Sequence, residues 1–275
     1  MIGLIAIIGC GGGPTGSGEA DPLAMTNGKY AAAYNAVRAI GGDGIHTPST
    51  RSDDETVAGI YWGYDAQPFV CAPVKLYNQI AVLLAKQRRL SVADNTRLLA
   101  LINIAMADAA IAVWETKYYY NYWRPVAGIR EAAPGTGPSG KGDGNPDTVG
   151  NPTWQPLGAP ADNDSDTNFT PPFPAYTSGH AGFGGALFQV LRRVFGRDDI
   201  RFTFVSDEFN GVTVDQNGAV RPHLPRTFAS LSQAEEENGQ SRIYLGIHWS
   251  FDKVEGIAQG RRVADLVVEE VYRGR

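Results

Sequence analysis

The sequence predicts an all-α protein built as one compact helical bundle, and three observations support this. Apolar residues recur at helical spacing through most of the chain, no segment shows the strict alternation of a surface strand, and no internal repeat is present. The chain has 275 residues, of which 43% are hydrophobic and 19% are charged. This length and composition suit a soluble globular protein with a sizeable core.

Start and stop signals define the predicted helices. Gly41-Gly42 ends the first one, and Ser91-x-x-Asp94 resembles a capping box at the start of the longest. Arg124-Pro125 closes that long helix, because a residue before proline avoids the helical conformation. The predicted helices cover residues 28–40, 52–62, 73–89, 91–123, 179–195, 230–239 and 247–272.

The remaining segments lack helical periodicity. Residues 1–25 are expected to form a flexible lead-in, and residues 131–172 a long surface loop rich in Gly, Pro, Asp and Asn. Residues 201–228 are mixed, with a short hairpin expected over 210–218. We therefore predict a single helical domain over 26–275 that carries the long loop.

Two motifs imitate well-known binding sites and are rejected. The glycine motif at residues 11–16 resembles a dinucleotide fingerprint, but Pro14 interrupts it and no βαβ unit follows. The acidic run at residues 162–166 resembles a calcium loop, but it lacks the glycine and the distal glutamate. We interpret it as a solvated turn.

Charge and hydropathy exclude some partners. The net charge of −5 disfavours nucleic acid and anionic membranes. The apolar run 98–114 contains Asn103 and Asp108, which favours a buried helix over a membrane span. At the N-terminus, residues 7–10 resemble a lipoprotein cleavage site, yet no basic residue precedes them. The sequence thus leaves the compartment open, with export through this apolar start as one route.

Three short segments carry residues suited to one chemistry. Together they supply three cations, a hydroxyl, a glycine amide and two imidazoles, which is what is needed to hold an oxyanion and move protons on it. The segments are Lys117-x6-Arg124-Pro125, Ser178-Gly179-His180 and Ser241-Arg242-x5-His248-x3-Asp252.

The first segment predicts an anion clamp. Lys117 and Arg124 lie seven residues apart in a predicted helix, so both are expected on one face. Trp114 precedes Lys117 by one turn on that face. Arginine adds the forked geometry that suits tetrahedral oxyanions.

The second segment begins a predicted helix. Ser178 at the N-cap leaves backbone amides pointing outwards, and Gly179 lets an anion approach them closely. His180 lies at the opening, where it can donate or accept a proton.

The third segment predicts an oriented imidazole. His248 and Asp252 are four residues apart on the predicted last helix, so the carboxylate can accept the Nδ1 proton. That leaves Nε2 available as a nucleophile or a metal ligand. Arg242, just upstream, adds the third cation.

These segments resemble the motifs of the PAP2-type acid phosphatase and vanadium-dependent haloperoxidase superfamily, from Trp114 to Asp252. The stretch Pro171–Ala186 and the tryptophan ahead of Lys117 are similar to the haloperoxidase branch. The fold that the resemblance implies is an α-helical bundle, in agreement with the periodicity.

The resemblance also implies a role for each residue, with orthovanadate as cofactor. His248 would bind vanadium through Nε2, with Asp252 beside it, and His180 would be the acid–base residue. Trp114 and Phe173 would line the halide pocket. The vanadate oxygens would be held by Lys117, Arg124, Ser178, the Gly179 amide and Arg242.

The implied activity is oxidation of halide by hydrogen peroxide to hypohalous acid. Two alternatives use the same residues. The first is a PAP2-type acid phosphatase that hydrolyses phosphomonoesters through a phosphohistidine at His248. The second is a non-catalytic oxyanion-binding protein. The aromatic neighbours Trp114 and Phe173 favour the haloperoxidase.

Two departures from the family pattern carry expectations. Thr177 stands where the family usually has proline before Ser-Gly-His, a change expected to loosen the anion-binding turn without removing it. The family also usually has more helices ahead of the first motif than this chain has. Either such helices are missing here, or a partner subunit covers the exposed face, and on the second interpretation we expect a homodimer.

Overall fold

The computed structural model describes residues 25–65, 70–159, 169–215 and 218–271. Several features of the sequence lie outside the described residues: the lead-in up to residue 24 with its apolar start and glycine motif, the acidic run at 162–166, and the hairpin centre at 216–217.

The described chain is mostly helical, which confirms the all-α prediction. The helices are α1 (Asn27–Ile40), α2 (Asp53–Tyr61), α3 (Pro73–Gln87), α4 (Val92–Tyr120), α5 (Pro125–Arg130), α6 (Gly179–Phe195), α7 (Leu231–Tyr244) and α8 (Ser250–Glu270). Two short strands, β1 (Phe202–Phe204) and β2 (Arg226–Phe228), pair antiparallel.

Side-chain caps explain several helix ends. Ser52 and Glu55 form a reciprocal capping box at the start of α2. Ser91 accepts a hydrogen bond from the amide of Asp94 at 3.1 Å and begins α4, as predicted. Gly196 ends α6 in the left-handed conformation.

The predicted end of α4 is wrong. Asn121 adopts the left-handed conformation, with φ at 48°, and caps the helix three residues before Arg124-Pro125. Asparagine tolerates this conformation better than most residues because its short polar side chain can bond locally. Arg124 instead becomes the N-cap of α5, with Pro125 at the first helical position.

The last two helices also differ from prediction. α7 continues to Tyr244, beyond the predicted residue 239, and therefore contains Arg242. α8 begins at Ser250 with Trp249 as N-cap, so His248 precedes the helix.

The mixed region folds back on itself near the expected hairpin. Isolated antiparallel bridges join Asn210 to His223 and Val214 to Val220. The strands β1 and β2 lie outside that predicted turn. Each has only three residues, too few for alternation to distinguish a strand.

The long loop packs on α1 instead of lying wholly on the surface. The Tyr34 hydroxyl donates to the carbonyl oxygen of Val149 at 2.8 Å, and Trp154 is fully buried. Apart from isolated bridges, no helix or strand lies in the described parts of this loop, 131–159 and 169–172.

Helix α4 passes through the bundle and contacts α3, α6 and α8. By length and composition, the segment Val92–Arg130 could cross a membrane, a test that core helices of soluble proteins also pass. Its buried residues recur every three or four positions, as expected of a helix packed against neighbours. The arrangement fits a soluble protein.

Glycines allow α6 and α8 to approach closely. A Cβ atom at Gly260 would overlap the carbonyl oxygen of Gly182, and one at Gly185 would lie 2.5 Å from the carbonyl oxygen of Ile257. Near the helix starts, the amide of Ser178 donates to the carbonyl oxygen of Asp252 at 3.0 Å. This packing brings the second and third motifs together.

Candidate active site

Lys117 lies buried near the end of α4. Its ammonium group donates to the carbonyl oxygens of Pro174 and Ala175, each at 2.9 Å, so it ties α4 to the segment ahead of α6. Burial, and then the neighbouring guanidinium of Arg124, hold the pKa of Lys117 well below its usual value. A bound anion would favour the charged form.

Arg124 is held on three sides. Its Nε donates to the carbonyl oxygen of Phe173 at 2.8 Å, and its Nη1 lies 2.8 Å from the carbonyl oxygen of Ile247 and 2.9 Å from Nε2 of His248. Its Nη2 is buried and makes no hydrogen bond within the described part of the chain. Burial lowers the pKa of this guanidinium to about 10.

Lys117 and Arg124 thus meet at one site, but not on one helix face. The sequence prediction placed both on α4, and Asn121 ends that helix before Arg124 is reached. The left-handed turn at Asn121 and the start of α5 at Pro125 set the direction of the Arg124 side chain instead.

The serine-glycine-histidine segment forms the start of α6, as predicted. Ser178 is the N-cap and accepts a hydrogen bond from the amide of Ala181 at 3.4 Å. A side chain at Gly179 would press on the ring of Trp114, at 3.2 Å from its Cβ, so only glycine fits without displacement. Buried amides at a helix N-terminus favour an anion.

Thr177, which replaces the family's proline, is anchored from two helices. Its hydroxyl donates to Gln259 of α8 at 2.8 Å, and Gln259 donates to Thr116 of α4 at 3.0 Å. All three side chains are buried. The departure therefore leaves the segment ahead of α6 firmly held.

His180 is buried and neutral near pH 7. Its Nε2 lies 2.7 Å from the carbonyl oxygen of Gly63; because a carbonyl only accepts, Nε2 carries the proton. Burial, and then the charge of Arg242, lower the pKa of His180 to about 4. Nδ1 is the ring atom left to exchange a proton.

His248 and Asp252 form the predicted pair, although His248 does not lie on α8. Nδ1 of His248 donates to Oδ2 of Asp252 at 2.8 Å, and the amide of Trp249 donates to the same oxygen at 3.0 Å. Asp252, at the third position of α8, reaches back over the helix start. Burial, and then the charge of Arg124, hold the pKa of His248 well below its usual value, while burial raises that of Asp252 to about 7.

Arg242 enters the site from α7 and reveals a residue that the sequence analysis missed. Its Nη2 donates to Oδ2 of Asp65 at 2.7 Å. Its Nε and Nη1 are buried and make no hydrogen bond to any residue that the structure describes. Asp65 also lies 3.9 Å from Nε2 of His180. A lone aspartate after α2 has no spacing relation to the motifs, so no sequence signal marked it.

Aromatic rings form one wall of the site. The rings of Trp114 and Phe173 have centroids 5.4 Å apart. The ammonium of Lys117 lies 5.8 Å and 5.3 Å from these two centroids, and the guanidinium carbon of Arg124 lies 5.0 Å from that of Phe173. The residues predicted as the halide pocket therefore lie directly against the cations.

Several known proteins are similar to this chain. A family model described as the VCPO second helical-bundle domain matches residues 97–274, which include all three motifs. The chain belongs to this family. The resemblance to the vanadium haloperoxidases inferred from the motifs is thereby confirmed, and the matched segment includes every predicted site residue.

Individual relatives agree with the family assignment. A vanadium chloroperoxidase from Curvularia inaequalis is 40% identical over 271 residues, covering 85% of this chain and 42% of that protein. A bacterial vanadium-dependent iodoperoxidase structure is 28% identical, with a TM-score of 0.60, and is matched over 89% of this chain and 49% of its own. An apo bacterial vanadium-dependent chloroperoxidase shares the fold at 18% identity, with a TM-score of 0.58 over 87% of this chain and 48% of its own. The chain thus spans less than half the length of these VCPO-family relatives.

Proposed function

We propose that this chain is a vanadate-dependent haloperoxidase that oxidises halide with hydrogen peroxide to hypohalous acid. One observation carries the proposal: Arg124 and Arg242 are buried, and three of their N–H-bearing nitrogens lack hydrogen-bond partners among the residues described. Buried donors are normally paired, so unpaired ones in a shared site favour a bound oxyanion.

The donor set fits vanadate. The oxyanion would be held by Lys117, Arg124, Ser178, the Gly179 amide and Arg242, and His248 would supply Nε2. When bound, vanadate would supply Lewis-acid activation of hydrogen peroxide. The protein's part is to fix charge around the oxygens and to control protons.

His248 is held in the tautomer that this role requires. The Asp252 carboxylate keeps the proton on Nδ1, which leaves the Nε2 lone pair unprotonated. That lone pair accepts a hydrogen bond from Arg124. A ligand at Nε2 therefore requires Arg124 to release it, and the released N–H can bind the ligand's oxygen.

His180 would handle the proton. Its Nε2–H is fixed to Gly63, so the exchange falls to Nδ1. A ring with a pKa of about 4 is a poor base in the free site. A neighbouring anion raises that pKa towards neutrality, which suits an acid–base residue.

Trp114 and Phe173 would form the halide side of the site. They exclude water beside two cations, and a desolvated halide is more nucleophilic than a hydrated one.

The alternative, a PAP2-type phosphatase, is favoured by one feature. Nε2 of His248 is unprotonated and backed by Asp252, as a nucleophile that attacks a phosphate ester would be. In that reaction Arg124, Arg242 and Lys117 would stabilise the negative charge on the phosphoryl oxygens, and His180 would protonate the leaving oxygen.

One pair of assays on purified protein separates the functions. The first contains orthovanadate, hydrogen peroxide, bromide or chloride, and a halogen-accepting dye. The second contains p-nitrophenyl phosphate without vanadate. Halogenation that depends on vanadate supports the haloperoxidase; phosphate release inhibited by vanadate supports the phosphatase. Vanadate binding without either turnover would support the oxyanion-binding protein.

We also propose that residues 26–275 act as one catalytic domain and form a homodimer. The family match over residues 97–274 supports the domain, and the homodimer is a prediction from the sequence. Light scattering after size exclusion should give a dimer mass, and a monomer across the accessible concentration range would contradict it.

A further inference from the structure

The turn after α2 contributes two contacts to the oxyanion site. The carbonyl oxygen of Gly63 binds Nε2 of His180 at 2.7 Å, and the carboxylate of Asp65 binds Arg242 at 2.7 Å. Tyr64, between them, has φ at 48°, in the left-handed region that few non-glycine residues occupy. The geometry of this turn therefore sets the positions of an acid–base group and a cation.

A second segment, 140 or so residues further along the chain, holds this turn from behind. The Ser206 hydroxyl donates to the carbonyl oxygen of Tyr61 at 2.7 Å, and the Asp207 amide donates to the Tyr64 hydroxyl at 2.6 Å. The amide of Tyr64 donates to Oε1 of Glu208 at 3.0 Å. This last bond fixes the peptide that joins Gly63 to Tyr64.

Glu208 is energetically unfavourable where it lies. Its side chain is fully buried, and burying a carboxylate costs free energy unless it is paired. The buried guanidinium of Arg221 lies 3.9 Å from it. Burial raises the pKa of Glu208 to about 7. An apolar residue here would leave the buried Tyr64 amide without its acceptor and the buried Arg221 guanidinium without this nearby carboxylate.

We propose that Glu208 is a positioning residue of the oxyanion site, which acts through the Tyr64 amide on Gly63 and Asp65. The inference rests on the proposed function, because it assigns Glu208 to the same vanadate site.

The test compares three substitutions. Glu208→Ala removes the acceptor, Glu208→Gln keeps an amide oxygen at the same reach, and Glu208→Asp keeps the charge but shortens the reach. We expect Ala and Asp to weaken orthovanadate binding about tenfold, the lower end of effects seen for residues that orient ligands. Gln should bind vanadate as wild type does. Equilibrium dialysis measures the dissociation constants.

A matched control separates positioning from stability. Glu235, on α7, is equally buried, but it pairs with Arg192 of α6 and Arg261 of α8. Glu235→Ala should lower the melting temperature at least as much as Glu208→Ala while leaving vanadate affinity unchanged. Loss of affinity in the control equal to that in Glu208→Ala would overturn the positioning role.

A second readout needs no bound oxyanion. Nitrogen NMR of His180 in the free protein should shift in Glu208→Ala, because its Gly63 contact loosens, and stay as wild type in Glu208→Gln. If wild type binds neither vanadate nor phosphate, the proposed function fails, and this readout decides the positioning role alone. If Glu208→Ala does not fold, the other two variants decide. Glu208→Gln should bind vanadate more tightly than Glu208→Asp does. Equal or reversed affinities overturn the inference, as do unchanged His180 signals.

Discussion

Nε2 of His248 lies 2.9 Å from Nη1 of Arg124, so the proposed vanadium ligand and an oxyanion-binding cation contact each other directly. A guanidinium only donates, which fixes Nε2 as the acceptor and Nδ1 as the protonated nitrogen. On the other side of the ring, Nδ1 donates to Asp252 at 2.8 Å. The imidazole is thus oriented from both ends.

Replacing His248 by alanine should abolish vanadate binding and turnover together, because no other described side chain offers an unprotonated ring nitrogen beside Arg124. Equilibrium dialysis with orthovanadate checks this. His46→Ala is the matched control, since His46 is exposed, pairs with Asp43 and lies outside the three motifs. Equal vanadate affinity in wild type and His248→Ala would refute the assigned ligand.

Replacing His180 by alanine should preserve vanadate binding and lower halogenation by about 10²–10⁴-fold, the range for loss of a general acid–base residue. The ring contacts Gly63 and lies near Asp65, and it is not among the predicted oxyanion donors. Steady-state halogenation at saturating vanadate measures the loss. A parallel loss of vanadate affinity would instead make His180 a binding residue.

The pH dependence of His180 follows from its buried position. In the free protein its pKa of about 4 keeps the ring neutral above pH 5 or so. A bound anion favours the protonated ring, so vanadate should raise this pKa, and vanadate affinity should rise as pH falls through the interval between the two values. NMR titration of the ring with and without vanadate tests this. A pKa that stays unchanged on binding would place the anion away from His180.

The same pKa shift of His180 makes the free energy of unfolding depend on pH. The unfolded ring binds protons below about pH 6.5, whereas the folded ring resists them down to about 4. The unfolded state therefore binds more protons in this window, and His180 lowers the free energy of unfolding as pH falls through it.

Sequence reasoning predicted which segments would meet but not their local geometry. The fold brings together the segments that carry all ten predicted site residues, because each motif lies at a helix end and close packing of α6 and α8 joins the second and third motifs. The prediction put Arg124 and His248 inside helices, since periodicity continues through both positions. Asn121 and Trp249 end or begin those helices by backbone conformations that periodicity does not show.

Asp65 and Glu208 show what a single sequence cannot supply. Both act through partners more than 100 residues away, Arg242 for Asp65 and Tyr64 for Glu208. Neither belongs to a spaced motif, and isolated carboxylates are usually solvated. Their roles become visible only in the tertiary packing around the turn after α2.

Substitutions of Asp65 test whether it acts by orienting Arg242 or through its negative charge. Asp65→Ala should weaken vanadate binding about tenfold, because the Arg242 guanidinium loses the one hydrogen bond that it makes to the described chain. Asp65→Asn keeps an acceptor oxygen and removes a negative charge, so it should bind vanadate at least as tightly as wild type. Dissociation constants from dialysis decide. Tighter binding by Asp65→Ala would mean that charge, not orientation, dominates.

Gly260 links helix packing to the site. A methyl group there would overlap the carbonyl oxygen of Gly182, forcing α6 and α8 apart. Overpacking of this kind costs about 1–3 kcal/mol. Gly260→Ala should therefore lower the melting temperature by several degrees. Because Ser178 and Asp252 lie at the starts of these two helices, vanadate affinity should fall as well. Gly28→Ala is the control: no atom of the described residues beyond its own turn of helix lies within 4 Å of its would-be Cβ, and alanine there should be neutral or slightly stabilising. If Gly260→Ala kept the wild-type melting temperature and vanadate affinity, the site would not depend on the close approach of the two helices.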